Sequence, residues 1–260
     1  MKLELIKRDY DILNNSKIIY FYYITPLLQK QLISPWHDIP LYTNYKDVYN
    51  FVVEMPSLTL EKYEIQTKVM LNPIMQDKLN NILRVKPRLE SHRPFLYGAF
   101  PQTYEDLDWK DKRTGFRGDN DPLDGIILFQ NKEYENIEIG SILQVEILGS
   151  IPLIDEGEID WKVIGYPKGD KFYSNNSLNT LLKDTDQLSN LIKIIDWFLE
   201  VKYIEKEIIN HLHLNPQFII NNKNDIRLIG EKYFICNKKL TLEIINDTNY
   251  HWKQSFSKVK

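Results

Sequence analysis

Ser141-Ile142-Leu143-Gln144-Val145-Glu146-Ile147-Leu148 and Trp161-Lys162-Val163-Ile164-Gly165-Tyr166 are β-branched, apolar runs of strand length, bounded by Gly140, Gly149 and Pro167. Working back along the chain, Gly125–Phe129, Lys62–Gln66, Val48–Glu54 and Lys17–Ile24 repeat the pattern, many of them closed by Pro, Gly or Asn. Up to about Val163 the chain therefore reads as short strands and turns, which predicts a barrel or a sandwich. After Ser177 the period changes. Leu188, Leu191, Ile195, Phe198 and Leu199 fall on one face at helical spacing, and Leu242, Ile245 and Trp252 predict a second helix near the C-terminus. These helices are expected to cover one side of the β-rich part. Between them, Leu214-Asn215-Pro216 predicts a break and Tyr233–Ile235 a short strand.

Composition bounds the function classes. The 260 residues carry 33 basic and 36 acidic side chains, a net charge of −3, with 43% hydrophobic and 27% charged residues. That is the make-up of an ordinary globule, and one core can grow to roughly 250–300 residues before a chain splits. No linker separates two domains. The near-neutral balance gives no global attraction to nucleic acid or anionic lipid, so a charged ligand has to be met locally. Cys236 is the lone cysteine, which excludes an internal disulfide and fits a reducing, cytoplasmic compartment. The longest apolar run, Ile18 to Ile24, is far short of the ~20 residues that span a bilayer, and Met1–Arg8 has no signal-peptide character.

Two stretches are locally acidic: Gly118-Asp119-Asn120-Asp121-Pro122-Leu123-Asp124 and Asp155-Glu156-Gly157-Glu158-Ile159-Asp160. Such density favours full solvation or a bound cation, and hard oxygen donors without Cys or clustered His suit Mg²⁺ or Ca²⁺ rather than zinc. An EF-hand starting at Asp119 fails, because Asp124 and Gln130 stand where Gly and Glu are needed and Pro122 interrupts. An aspartate nucleophile of the Asp-x-Asp type is a weak reading, since Thr114-Gly115-Phe116-Arg117-Gly118 precedes it where an apolar strand is needed. Arg117-Gly118-Asp119 is read as a coincidental adhesion tripeptide, and His211-Leu212-His213 as a loop pair lacking a third ligand. Taken alone, Asp119–Asp124 reads more readily as a solvated turn. The rest of the chain changes that.

With Ser34-Pro35-Trp36-His37-Asp38-Ile39-Pro40-Leu41-Tyr42, Val52-Val53-Glu54-Met55-Pro56, Leu71-Asn72-Pro73-Ile74-Met75-Gln76-Asp77 and Tyr97-Gly98-Ala99-Phe100-Pro101-Gln102-Thr103, the acidic block Asp119–Asp124 resembles family I soluble inorganic pyrophosphatases of the eukaryotic-type branch. Asp155–Lys162, Trp197-Phe198 and Trp252-Lys253-Gln254 continue the resemblance in order. It implies a mainly β protein with flanking helices: a closed, five-stranded barrel of the oligonucleotide-binding type, helices outside it, and an N-terminal extension. The expected layout is one domain over 1–260, with the extension over about 1–50, the catalytic barrel over about 51–165 and a helical cover over about 177–257.

The resemblance also implies a reaction, Mg²⁺-dependent hydrolysis of inorganic pyrophosphate by a metal-bridged hydroxide, with several Mg²⁺ per site and Mn²⁺ able to substitute. By resemblance Asp119, Asp124 and Asp160 hold the first metal, Asp124 reaches a second, Asp155 with Asp160 a third and Glu64 a fourth. Asp121 orients or deprotonates the attacking water, while Lys62, Arg84, Tyr97, Lys162 and Lys202 bind phosphate, and Glu54 and Glu158 match supporting acidic positions. Without the family, each of these lysines reads as a surface lysine and Glu54 or Glu64 as an outward strand residue.

Two family tyrosines are replaced, by Val201 and by Arg93, and Tyr203 is displaced from the first by about 200° of helical rotation. Weaker phosphate affinity is expected, with the chemistry retained. The branch is commonly homodimeric, and Ser57-Leu58 stands where its basic-aromatic pair is expected. The expected partners are pyrophosphate and a second copy of the chain, with no nucleic acid and no membrane. The competing reading is a catalytically weakened homologue that serves as a binding or scaffold subunit.

Overall fold

The computed structural model describes residues 2–13, 16–57, 59–86, 95–171, 177–204, 214–229 and 233–256, with the backbone alone over 198–204. Strands β1 (Ile6–Leu13), β2 (Ser16–Ile24) and β3 (Lys30–Ile33) lead into β4 (Val48–Met55), β5 (Tyr63–Ile65), β6 (Ile74–Gln76), β7 (Lys78–Leu79) and β8 (Ile82–Leu83). The β-rich part ends with β9 (Phe95–Ala99), β10 (Arg117–Gly118), β11 (Asp124–Leu128), β12 (Ile142–Asp155) and β13 (Glu158–Pro167). Then come α1 (Leu178–Leu181), α2 (Thr185–Ile204), α3 (Pro216–Asn221), β14 (Ile226–Ile229), β15 (Tyr233–Asn237) and α4 (Lys238–Phe256).

Five of these strands close on themselves. β13 pairs with β11, β11 with β9, β9 with β4, β4 with β12, and β12 again with β13. Closure leaves those strands without an open edge. Closure encloses one of their faces and the elements packed outside cover the other, which is why all eight residues of β4 are buried and why the decisive stretches read as nearly continuous apolar runs. The two faces remain distinct. Ile127, Ile159, Trp161 and Val163 join a core with Phe51, Val53, Phe100 and Val145, whereas Ile126, Leu128, Ile164 and Tyr166, from the same strands, join a second cluster.

The helices divide between these clusters instead of sharing one side. Leu191, Ile194 and Ile195 of α2 pack on the second, and Leu240, Ile244 and Ile245 of α4 on the first. Each apolar stripe thus covers a different face of the same ring. Trp252 of α4 belongs to a third cluster, with Ile19, Phe21, Trp36, Ile39 and Ile74, which attaches the N-terminal sheet β1-β2-β6-β5. The predicted break at Leu214-Asn215-Pro216 is the start of α3: Asn215 Oδ1 accepts from Gln217 N–H and Pro216 occupies the first turn.

Several boundaries moved. β12 runs on to Asp155, past a register shift between Ile147 and Gly149, and the expected strand Lys62–Gln66 shortens to three residues. β1 was invisible to pattern reading because most of its side chains face solvent; it is held by its backbone register to β2, from Ile6 opposite Tyr23 to Leu13 opposite Ser16. Among the described residues no helix is long and apolar enough to cross a membrane.

Candidate active site

The β12–β13 hairpin turns on Glu156 and Gly157, whose φ values of +46° and +87° are those of a tight two-residue turn between the paired Asp155 and Glu158. Gly157 is therefore a turn requirement within the acidic stretch. Past the turn, period two puts Asp160 and Lys162 on one face of β13 and Trp161 on the other, in the core. The parallel register sets Asp124 opposite Lys162, and the antiparallel one sets Ile126 opposite Tyr97. Three strands thus bring a carboxylate, an ammonium and a phenol together.

The contacts are short. Lys162 Nζ lies 2.5 Å from Asp124 Oδ2, 2.5 Å from Asp160 Oδ1 and 2.9 Å from Tyr97 Oη, and the Tyr97 hydroxyl also donates to Asp124. Burial works against the Lys162 ammonium, yet Asp124 and Asp160 hold its pKa well above the ordinary lysine range. A second group lies across the cavity. Lys62 Nζ is 2.9 Å from Glu64 Oε2 and 3.2 Å from Asp77 Oδ2, and Arg84 Nη1 is 2.6 Å from Asp77 Oδ2. Burial would raise the Asp77 pKa, but Lys62 and Arg84 overcome it and lower the pKa.

Asp119 and Asp121 sit on the loop between β10 and β11. Glu105 N–H donates to Asp121 O, Asn120 N–H donates to Glu105 O, and Asp119 Oδ1 accepts from Asp121 N–H at 3.1 Å. The clasp is close because Gly118 has no side chain: a Cβ there would lie 2.1 Å from the Glu105 carbonyl carbon.

One cavity of about 170 Å³ is lined by Glu54, Lys62, Glu64, Arg84, Tyr97, Asp119, Asp121, Asp124, Asp155, Asp160 and Lys162. Glu158 is not among its lining residues; it begins β13 opposite Asp155 and beside Arg117. The backbone of Val201, Lys202 and Tyr203 is in α2, but their side chains lie outside the described residues, as do Arg93, His211 and His213 altogether.

Sequence reasoning missed Glu105 and Asp77 as site residues. Asp77 ends a quoted motif block, so its place was readable. Glu105 is a lone acid in a loop, and only the fold brings one of its oxygens within 4.8 Å of oxygens of both Asp119 and Asp160. Lys86 and Trp197 also line the cavity.

The electrostatics ask for cations. Burial first, and neighbouring carboxylates second, raise Glu54, Glu105 and Asp119 well above the carboxylate range. Asp121 is pushed up to about 7 by desolvation and then by Glu64 and Asp124. Asp160 reaches about 6 through burial, opposed by Lys162. Hard oxygen donors crowded this closely, with no His or Cys among the described residues that line the cavity, fit a divalent oxygen-loving cation.

Comparison with known proteins agrees. The family model described as inorganic pyrophosphatase matches residues 51–218. The chain is 37% identical over 233 residues to the inorganic pyrophosphatases of Pongo abelii and Homo sapiens, covering 88% of this chain and 72% of each relative. The solved structure of inorganic pyrophosphatase from Schistosoma japonicum superposes with a TM-score of 0.76 at 28% identity, over 98% of this chain and 82% of that one. Type I inorganic pyrophosphatase from P falciparum superposes with a TM-score of 0.71 at 28% identity, over 95% and 76% of the two chains. By sequence and by fold, the chain belongs to the inorganic pyrophosphatase family.

Proposed function

We propose that Mg²⁺ is the metal and that the cavity's residues divide into ligands, phosphate binders and a proton acceptor. The reaction itself follows from the family: the chain is an inorganic diphosphatase that hydrolyses pyrophosphate to two orthophosphates. The observation that carries the assignment of roles is the meeting of acidic and basic groups. Asp119, Asp124, Asp155, Asp160 and Glu64 line the same 170 Å³ cavity as Lys62, Arg84 and Lys162. Carboxylates alone would repel a highly charged anion, and ammonium and guanidinium groups alone would hold it without activating water.

In this reading Asp119, Asp124 and Asp160 hold Mg²⁺, with Glu64 and Asp155 toward further ions. Bound Mg²⁺ supplies Lewis acidity at phosphoryl oxygens and lowers the pKa of water. Lys62, Arg84 and Lys162 bind the phosphoryl oxygens, exchanging part of their pairing with carboxylates for pairing with substrate. The Tyr97 pKa is raised well above its usual value by burial and by Asp124, so the phenol stays neutral and donates. Asp121 takes a proton from the attacking water, and Lys202 is proposed as a phosphate contact from α2. Phosphoryl transfer is mostly positioning and charge stabilisation, so no covalent nucleophile is needed.

The test is phosphate release from pyrophosphate. Release is expected from wild type with Mg²⁺ and to vanish with a chelator. Asp121→Asn is expected to lower kcat by about 10²–10⁴-fold, the usual worth of a general base. Release equally fast without a divalent ion would refute the metal assignment, and full activity of Asp121→Asn the proton-acceptor role. A homodimer and a cytoplasmic location belong to the same proposal, checked by sedimentation and by localisation of the tagged chain.

A further inference from the structure

Behind the metal-binding carboxylates lies a second, smaller cavity, lined among others by Glu105, Arg113, Trp161, Asp106, Thr248 and His251. Glu105, Arg113 and Trp161 are 3%, 1% and 1% exposed, and each has one polar atom without a hydrogen-bond partner: Glu105 Oε2, Arg113 Nε and Trp161 Nε1. Their other polar groups are engaged. Glu105 Oε1 accepts from Trp161 N–H at 2.9 Å, while the Arg113 guanidinium reaches Asp111 Oδ2 at 3.0 Å and Asp247 Oδ2 at 2.7 Å.

Buried unpaired groups are few in native proteins, and here three residues that each carry one, from three separate segments, line one cavity. The unpaired atoms are also complementary, one carboxyl oxygen and two N–H donors. The space open to the centres of water molecules is about 30 Å³, and ~10–15 Å³ holds one water with two to four polar partners. A further cation is not called for, since Arg113 already faces Asp111 and Asp247, and His251 Nδ1 lies 3.4 Å from Asp106 Oδ2.

Glu105 joins this cavity to the site. It is not among the residues lining the front cavity, yet one of its oxygens lies within 4.8 Å of oxygens of Asp119 and Asp160. We propose that the rear cavity holds an ordered water that donates to Glu105 Oε2 and accepts from Arg113 Nε–H and Trp161 Nε1–H, making Arg113 and Trp161 positioning residues for the metal centre. The bridge fixes the Glu105 carboxylate from behind, and so the spacing of the aspartates that hold the ion. It rests on the assignment of Asp119 and Asp160 as metal ligands.

Calorimetric titration of the full, substrate-free chain with Mg²⁺ tests it. Trp161→Phe removes the indole N–H and keeps the backbone bond to Glu105; it is expected to weaken Mg²⁺ binding about tenfold, the lower end for loss of a group that orients a ligand. A purely structural role for Trp161 would lower the melting temperature and leave Mg²⁺ affinity unchanged, and that result overturns the proposal. Asp119→Asn is the reference. If it loses Mg²⁺ while Trp161→Phe binds as wild type, the bridge alone is refuted; if both bind as wild type, the ligand assignment falls and takes the bridge with it. Should Trp161→Phe fail to fold, a high-resolution crystal structure of the wild type decides. One water within hydrogen-bond distance of the three atoms is expected, and a dry cavity overturns the proposal.

Discussion

Asp121 and Asp160 carry protons in the metal-free protein at pH values where free carboxyls have lost them, with pKa values pushed up to about 7 and about 6. Unfolded aspartates titrate near ~3.9, so between about pH 4 and pH 7 the folded state binds protons that the unfolded chain has released. The sign follows: this contribution is complete below the unfolded pKa and is lost as pH rises through the folded values. Chelated protein is therefore expected to melt at a higher temperature near about pH 5 than near about pH 8 through this term. Saturating Mg²⁺ should narrow the gap, since a cation takes over the protons' role. Melting curves at both pH values, with and without Mg²⁺, check it. Asp119, Asp121 and Asp124 could be singled out from the primary structure because they are neighbours in the chain. Glu54, Lys62 and Tyr97 could be named only through family resemblance, since each alone looks like any strand residue. Glu105 had no such signal.

At Gly98 the β4–β9 pairing leaves no room for a side chain: a Cβ would lie 2.1 Å from Val52 O and 2.8 Å from Glu54 N. Both are backbone atoms of β4 and cannot yield, so Gly98→Ala is expected to cost about 3 kcal/mol or more, and to show as loss of folded protein or a much lower urea midpoint. A smaller effect is expected where β15 meets α4. Asn237 Oδ1 accepts from Leu240 N–H at 3.1 Å, and its amide donates to Asp225 Oδ1 at 2.9 Å. Asn237→Ala removes this cap and should cost about 1 kcal/mol in urea unfolding. Elements with a buried face were readable from the pattern: α2 and α4 show an apolar stripe, and β12 and β13 a run of buried residues. β1 was not, because a strand attached by its backbone to β2, with side chains mostly in water, needs no hydrophobic period.

For the molecule entire, metal binding is a stability term as well as a catalytic one. A ligand bound only by the folded state stabilises it by RT ln(1 + [L]/Kd), about 2.7 kcal/mol at a hundred times Kd. Titrating Mg²⁺ into chelated protein should raise the melting temperature with the logarithm of its concentration, and Asp119→Asn should flatten that rise; thermal scans over a Mg²⁺ series check both. The residue order was enough to place most of the strands, the two long helices and the acidic blocks, because burial imposes a local period and like charges rarely crowd without a reason. Its pattern alone left barrel and sandwich both open, and the closed ring was named only through the family resemblance. Closure depends on β13 pairing with β11 on one side and β12 on the other, a choice made by packing among residues far apart in the chain. Only that closure gathers residues from Glu54 to Lys162 around one cavity. The raised carboxyl pKa values follow from it, since desolvation and Coulomb repulsion depend on burial and on distances in space rather than along the chain.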